Sequence, residues 1–270
     1  MKKTLPILLL LILSDASAQN SLWISSGYNY SIARNPNLVD MNPGDARKYS
    51  LGNGTSTQLY FQHQPDSSNW TISTGINLLI GNRNITSLHE NKGDSVVQSA
   101  TLTANSLRYF IQLGYAWQVK KFQFQVNAGF NIPLITRLNG DISYKDSFKS
   151  TTEKYKVRNF FSVGFKGSAS VRYAIQKRIF LFLLTDLQVL NTKVRSKSIY
   201  DYYSSDGQTL EKKYPDYADR ETIYLKNAEN IRNNKAVLPM SFNPGKATES
   251  LSYSQSYSSL GLQFGFQFLF

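Results

Sequence analysis

Apolar and polar side chains alternate along much of the chain, in eight separate stretches. Successive side chains of a β-strand point to opposite faces, so each alternating stretch predicts a strand with one apolar and one polar face. Segments rich in Gly, Pro, Asn and Ser separate several stretches and predict loops. The stretches are 22–32, 54–63, 70–80, 107–119, 122–130, 157–175, 179–191 and 257–270.

The last stretch has the most regular pattern, because Leu and Phe alternate with Gly and Gln from 260 to 268. Such an apolar face packs on a second sheet in a soluble sandwich, or faces lipid in a membrane barrel whose polar face lines the lumen. Soluble strands rarely expose four Phe on one face, which favours the barrel. The pattern resembles the C-terminal insertion signal of bacterial outer-membrane barrels, which here comprises Leu262, Phe264, Phe266, Phe268 and Phe270.

The fourth and fifth stretches predict a tight hairpin with a two-residue turn at 120–121. In the register that this turn sets, Trp117 lies opposite Phe124 on the apolar face. Gln118 lies opposite Gln123 on the polar face. A register that matches both faces at once supports the pairing.

The connections between stretches differ in length in a regular way. Those after the second, fourth and sixth stretches are short, whereas 33–53, 81–100, 133–156 and 192–250 are long. Outer-membrane barrels have short periplasmic turns and longer extracellular loops. We therefore predict an all-β fold, an eight-stranded antiparallel up-and-down transmembrane β-barrel. Trp23, Trp70 and Trp117 lie near the predicted periplasmic ends, where an aromatic girdle is expected, although strict alternation points Trp23 inward.

The N-terminus has the pattern of a secretory signal peptide. Lys2 and Lys3 precede an apolar stretch at 5–13, and Ala16-Ser17-Ala18 offers a cleavage site. We predict a signal peptide at 1–18 and a barrel domain at 19–270, located in the bacterial outer membrane. The chain has no Cys, which excludes disulfides and thiol chemistry.

These features together resemble the small eight-stranded outer-membrane barrels, namely the OmpA-type transmembrane domain and the PorT-like family. Many OmpA-type proteins carry a periplasmic peptidoglycan-binding domain after the barrel, and we expect none here because the sequence ends at Phe270. PorT-like relatives are associated with secretion machinery. The resemblance therefore implies a partner-docking subunit of an outer-membrane complex.

The net charge of +12 raises the question of nucleic-acid binding. No basic stripe interleaved with aromatic residues lies on a solvent face, so we exclude that class. Basic loop residues either meet lipopolysaccharide phosphates or are simply solvated. The densest positive excess is predicted inside the barrel, in a lumen charge cluster of Arg108, Lys166, Arg172 and Asp186, with Arg158 on the same predicted face.

A short turn centred at Gln176 or Lys177 joins the sixth and seventh stretches. Placing lysine and acid on the same lumen face restricts the register to pairs of even-numbered residues. With Gln176 at the centre, Lys166 lies opposite Asp186; with Lys177 at the centre, the two are diagonal neighbours. Both registers predict a Lys166–Asp186 contact.

The long segment 192–250 is the strongest candidate for a partner-binding loop, because connections of this length are usually functional or disordered. Residues 216–233 could form a helix within it, and a mobile loop is the alternative. Tyr-rich surfaces are common at protein interfaces. Its candidate contact residues are Tyr200, Tyr202, Tyr203, Tyr214, Tyr217 and Tyr224.

Candidate catalytic residues are sparse. His63 and His89 lie in no recognisable motif, and we predict neither a metal site nor a cofactor. Three hypotheses remain: a non-enzymatic barrel that docks other outer-membrane proteins, a lipid-modifying enzyme, and a narrow pore. Under all three the expected partners are outer-membrane lipid, lipopolysaccharide and, during insertion, the barrel assembly machinery.

Overall fold

The computed structural model describes residues 18–32, 51–66, 68–82, 84–91, 96–146 and 148–270, with backbone alone for 18, 84–91 and 96–98. The predicted signal peptide, apart from Ala18, lies outside the described residues, as does most of the predicted loop 33–53.

Strands dominate the described chain. They are β1 (Ala18–Ser31), β2 (Gly54–Pro65), β3 (Trp70–Gly81), β4 (Asn84–Asn91), β5 (Val96–Val119), β6 (Phe122–Lys145), β7 (Ser150–Asn159), β8 (Gly164–Gln176), β9 (Ile179–Val189), β10 (Asn191–Ser204), β11 (Glu221–Leu225), β12 (Thr248–Leu251), β13 (Ser254–Ser256) and β14 (Ser259–Leu269).

Eight of these strands close into an antiparallel barrel. The order around the barrel is β1, β2, β3, β5, β6, β8, β9 and β14, and β14 pairs with β1 to complete the ring. Closure leaves no free edge within this ring, so its strands satisfy one another's backbone hydrogen bonds. The predicted eight-stranded barrel fold is confirmed.

The tight hairpin between β5 and β6 has the predicted register. Trp117 pairs with Phe124, and Gln118 pairs with Gln123. Lys120 adopts a positive φ of 55°, the left-handed conformation that a two-residue hairpin turn requires. The register of the two strands therefore holds the turn in this conformation although glycine is absent.

The two faces of the barrel differ sharply in polarity. On β14, Phe264 is 61% exposed on the outside, whereas Gln263 is 0% exposed on the inside. The end of the barrel that carries the short turns, here called the turn end, has an outward belt of aromatic side chains. Its members include Trp70, Tyr115, Trp117, Phe122, Tyr173 and Phe270. Trp23 is not one of them, because it points inward and is fully buried.

At the opposite end, strands occupy most of the predicted loops 81–100 and 133–156 and about a third of 192–250, so the prediction that these segments are loops without strands is wrong. β5 and β6 run for 24 residues each and continue beyond the barrel. With β4, β7, β10, β11 and β12 they form an extended sheet in the order β4-β5-β6-β7-β10-β11-β12. The polar composition that suggested loops belongs to strands with one face in water.

The extended sheet and the adjoining segments enclose an apolar core of their own, stacked on the barrel lumen. Tyr257 lies where the core meets the lumen, with its ring centroid 5.9 Å from the guanidinium carbon of Arg108. The core therefore covers the lumen at this end. Its buried members are Leu51, Leu102, Ala104, Leu138, Tyr155, Val157, Leu190, Val194 and Tyr257.

The predicted sixth strand, 157–175, is two strands rather than one. Val157 belongs to β7 and is buried in the apolar core, and β8 begins only at Gly164. Because Val157 points inward, its neighbour Arg158 points outward and is exposed. The prediction that Arg158 shares the lumen face is therefore wrong.

Among the residues that the structure describes, helical structure is limited to short segments between β10 and β12: α1 (Leu210–Lys213), α2 (Tyr217–Arg220) and two 3₁₀ turns, Ala228–Asn230 and Pro239–Ser241. The predicted helix at 216–233 is wrong, because β11 follows α2 directly and pairs with β10. No helix in the described parts of the chain has both the length and the apolar character to cross a membrane.

The closed ring predicts that the protein is heat-modifiable. Unheated protein in SDS should keep its barrel, because unfolding requires the whole ring to open at once, and it should migrate differently from boiled protein. Gel electrophoresis of paired unheated and boiled samples measures this. Identical migration of the two samples would contradict a closed barrel.

Candidate functional site

The carboxylate of Asp186 lies at the centre of a hydrogen-bonded network in the lumen. Its Oδ2 atom accepts hydrogen bonds from Gln58 Nε2 at 3.1 Å and from Gln188 Nε2 at 2.6 Å. Gln263 Nε2 approaches the other oxygen at 3.4 Å. Lys166 Nζ lies 3.6 Å from Oδ2 and donates to Gln58 Oε1 at 2.6 Å. Side chains from four different strands thus converge on one buried acid.

The register of β8 and β9 creates the Lys166–Asp186 contact. Ser168 pairs with Asp186 and Lys166 pairs with Gln188, which is the predicted register centred at Lys177. A bulge between Ala174 and Gln176 then shortens the turn to two residues. The predicted diagonal contact of the lysine and the acid is confirmed.

Arg108 reaches the acid only through a glutamine. Its Nη1 atom donates to Gln188 Oε1, which also accepts from Asn131 Nδ2 at 3.1 Å, and its Nε donates to Ser106 Oγ at 3.1 Å. Gln188 in turn donates to Asp186. The neutral amide of Gln188 therefore links the Arg108 guanidinium to the Asp186 carboxylate by two hydrogen bonds.

Arg172 lies apart from this network, closer to the turn end. It donates to Gln267 Oε1 at 2.6 Å, and its guanidinium carbon lies 5.3 Å from the ring centroid of Trp23. The predicted lumen charge cluster is therefore two groups: Arg172 in one, and Arg108, Lys166 and Asp186 in the other.

A layer of apolar side chains packs between the two groups. The Trp23 and Phe182 ring centroids are 4.6 Å apart, and Lys166 Nζ lies 3.9 Å from the Phe110 centroid. The aromatic faces therefore stabilise the cations as well as filling space. The layer comprises Trp23, Tyr60, Phe110, Phe182 and Leu184.

Sequence reasoning missed the glutamines and most of this aromatic layer. Gln58 and Gln263 occupy inward positions of their strands, so alternation identifies them as lumen residues. It does not reveal that they meet Asp186: Gln263 is a diagonal neighbour on the adjacent strand β14, whereas Gln58 reaches the acid across the lumen from β2. The Gln58–Asp186 hydrogen bond joins residues 128 positions apart in sequence.

The described residues offer little that resembles a catalytic or metal centre. They contain no group of three His, Asp or Glu side chains placed to hold a metal ion. His63 lies near the turn end, where its Nδ1 is 3.0 Å from Asn20 Oδ1. The side chain of His89, on β4, lies outside the described residues.

The tyrosines of the predicted partner-binding loop fall into two sets. Tyr202 and Tyr214 contact each other, with ring centroids 5.9 Å apart, and the Tyr214 hydroxyl donates to Glu153. Burial, together with the Glu153 carboxylate, raises the pKa of Tyr214. Tyr224 packs against the apolar core. These three have structural roles, whereas the exposed set is Tyr200, Tyr203 and Tyr217.

Comparison with known proteins finds similarity to solved structures but not to a family model. No family model matches the chain, and no curated protein matches it. The chain is similar to the crystal structure of a major outer membrane protein from Thermus thermophilus, with 10% identity, a TM-score of 0.45, and coverage of 94% of this chain and 100% of that one. At this TM-score the similarity carries no argument, and the OmpA-type and PorT-like resemblance stays a prediction. The chain's own geometry defines a closed β-barrel with a packed polar lumen.

Removal of the lumen acid is predicted to destabilise the barrel. Asp186→Asn leaves the Lys166 ammonium without its counter-charge, which costs about 3–5 kcal/mol of the free energy of unfolding for a buried pair. Lys166→Met in the same chain should recover part of that loss. Denaturant titration of the folded protein in detergent micelles measures both effects.

The surface pair of Lys154 and Asp201, whose Nζ–Oδ2 distance is 2.8 Å, provides a matched control. Asp201→Asn should change the free energy of unfolding by no more than about 1 kcal/mol, because the pair is solvated. Equal effects of Asp186→Asn and Asp201→Asn would mean that the lumen network does not stabilise the fold.

Proposed function

We propose that this protein is an integral β-barrel of the bacterial outer membrane. The observation that carries the proposal is the reversed polarity of the barrel: large apolar side chains such as Phe264 and Phe266 cover the outside, while Gln263 and Gln267 are buried inside. A soluble barrel with this arrangement would expose a broad apolar band to water. In a bilayer, the same band faces hydrocarbon.

The aromatic belt supports this orientation. Trp70 and Tyr115 have ring centroids 5.4 Å apart, and Trp117 stacks on Phe124 at 5.8 Å, all close to the short turns. Trp and Tyr concentrate at membrane–water interfaces, where their rings contact lipid and their polar atoms contact water. We therefore assign the turn end to the periplasm and the extended sheet to the cell surface. The predicted signal peptide fits this assignment.

We further propose that the barrel is neither a pore nor an enzyme. The lumen residues Lys166, Asp186 and Phe182 are almost fully buried, which argues for a filled interior. An interior bounded by eight strands is just wide enough for its own side chains. His63 contacts the amide of Asn20 rather than a nucleophile or an acid, which gives no support to hydrolytic chemistry.

The extended sheet suits a docking role. Tyr200 and Tyr203 are exposed on its strand β10, and Tyr217 is exposed on the adjoining helix α2. Exposed aromatic side chains on a rigid support lose little conformational freedom when a partner binds. We propose that this surface binds another protein of the cell envelope. The resemblance to PorT-like barrels favours a secretion or envelope complex.

Co-purification from the native membrane tests the docking role. Gentle detergent extraction of the full chain should recover a discrete partner in constant proportion. Tyr203→Ser combined with Tyr217→Ser should reduce that recovery about tenfold, because exposed aromatic anchors often dominate binding energy. Quantitative mass spectrometry of the purified material measures the recovery.

Met240→Ser is the matched control, because Met240 is fully exposed but lies on a 3₁₀ turn rather than among the exposed tyrosines. It should leave recovery unchanged. A protein that emerges alone would refute the docking role, and equal recovery with both variants would refute the tyrosine surface as the contact.

A further inference from the structure

The sheet divides where β6 leaves the barrel, and a groove opens at that point. β6 pairs with β8 as far as Asn131 opposite Gly164, and with β7 from Leu138 opposite Val157. The segment 132–137 therefore lacks a neighbouring strand on this side. Two adjoining cavities of about 590 and 410 Å³ lie along the outer face here, and both are lined by Thr136 and Arg158.

The larger cavity, here called the upper cavity because it lies further from the turn end, is cationic. It is lined by Arg137, Lys156 and Arg158, all of which are exposed. Lys156 Nζ lies 4.4 Å from the ring centroid of Tyr200, which holds the ammonium group beside the cavity. None of the ion pairs found within the described residues includes any of these three side chains.

The nearest acids along the strands lie beside another lysine. Lys154 lies two residues from Lys156 on β7, further from the barrel, between Asp141 on β6 and Asp201 on β10. It forms its salt bridge with Asp201. The positive charge of the upper cavity is therefore available to an anion.

The smaller cavity, here called the lower cavity because it lies nearer the barrel, is largely apolar. Leu134, Ile135 and Phe161 line it and are 56%, 51% and 76% exposed. The exposed Phe130 and Phe165 continue this surface down the outside of the barrel. Arg137 follows Ile135 by two residues on β6, so the cationic cavity begins where the apolar band ends.

We propose that this groove binds a phosphorylated lipid of the outer leaflet. The cations of the upper cavity contact the phosphate, and an acyl chain lies along Leu134, Ile135 and Phe161. Arginine is suited to phosphate because its planar guanidinium donates two parallel hydrogen bonds. A free phosphate ion would not occupy the apolar cavity, whereas a lipid whose headgroup lies at this depth fills both cavities. This site rests on the proposed membrane location.

Binding of diphosphoryl lipid A to the purified full chain in neutral detergent tests the site. Arg137→Gln, Lys156→Gln and Arg158→Gln, combined in one variant, should weaken binding about tenfold to hundredfold, since each charged contact at a membrane surface adds appreciably to affinity. Native mass spectrometry of a lipid titration measures the affinity. Phe161→Gln, a change at an exposed side chain, should weaken binding by several-fold without altering the cations.

The control variant removes three cations from the turn end of the barrel, with Lys121→Gln, Lys177→Gln and Arg178→Gln. It changes the net charge equally and should retain wild-type affinity. Equal loss of binding in the control and site variants would refute the site, as would unchanged binding in both. Displacement of lipid A by inorganic phosphate at similar concentration would refute the lipid in favour of a phosphate site.

Electrophoretic heat modifiability and insertion into lipid vesicles separate this inference from the membrane assignment. Wild-type protein that fails to insert contradicts the membrane location itself. Protein and variants that insert normally, with no difference in lipid A binding, contradict the lipid site alone.

Discussion

The whole structure depends on one constraint: each strand of a closed ring presents one face to the lumen and the other to the exterior. Closure fixes which side chains meet inside, because a shift of one residue would exchange the faces of an entire strand. Asp186 shows the consequence, since its partners come from β2, β8, β9 and β14. The buried acid in turn favours a single register, because a shift would leave charges unpaired.

The same strands build the surface above the barrel. β5 and β6 continue past the lumen, and the inward faces of these strands change there from polar to apolar. Leu102 and Leu138, on the continued parts, point into the apolar core. Tyr257 joins the two environments, with its ring close to Arg108 below. The extended sheet is therefore held at a fixed orientation to the barrel. We infer that this rigidity is what makes it suitable for docking and what keeps the cationic groove at the edge of the apolar band.

Alternation made the barrel predictable, because its period of two is readable in segments such as 260–268. It also placed Asp186 and Lys166 correctly, since a short turn leaves few registers. The extensions of β5 and β6 were not predictable in this way, because polar residues at 81–100 and 133–156 suit both a loop and a strand with one wet face. The lumen position predicted for Arg158 was wrong for a different reason. Nothing local in the sequence shows that β7 and β8 are separate strands. The contact between Gln58 and Asp186 was not predictable from local pattern, because it joins two strands that face each other only in the closed ring.

Paired arginine substitutions on the outer surface test the central claim most directly, namely that the apolar band faces lipid. In vesicles, Phe264→Arg should lower the free energy of unfolding by about 2–4 kcal/mol, because it places a charge in the hydrocarbon region. Leu251→Arg, at an exposed apolar residue of the extended sheet, should change it by no more than about 0.5 kcal/mol. Denaturant titration of both variants in vesicles would show this difference. Equal stability of Phe264→Arg and wild type, or a wild-type protein that remains monomeric in water without detergent, would contradict the account.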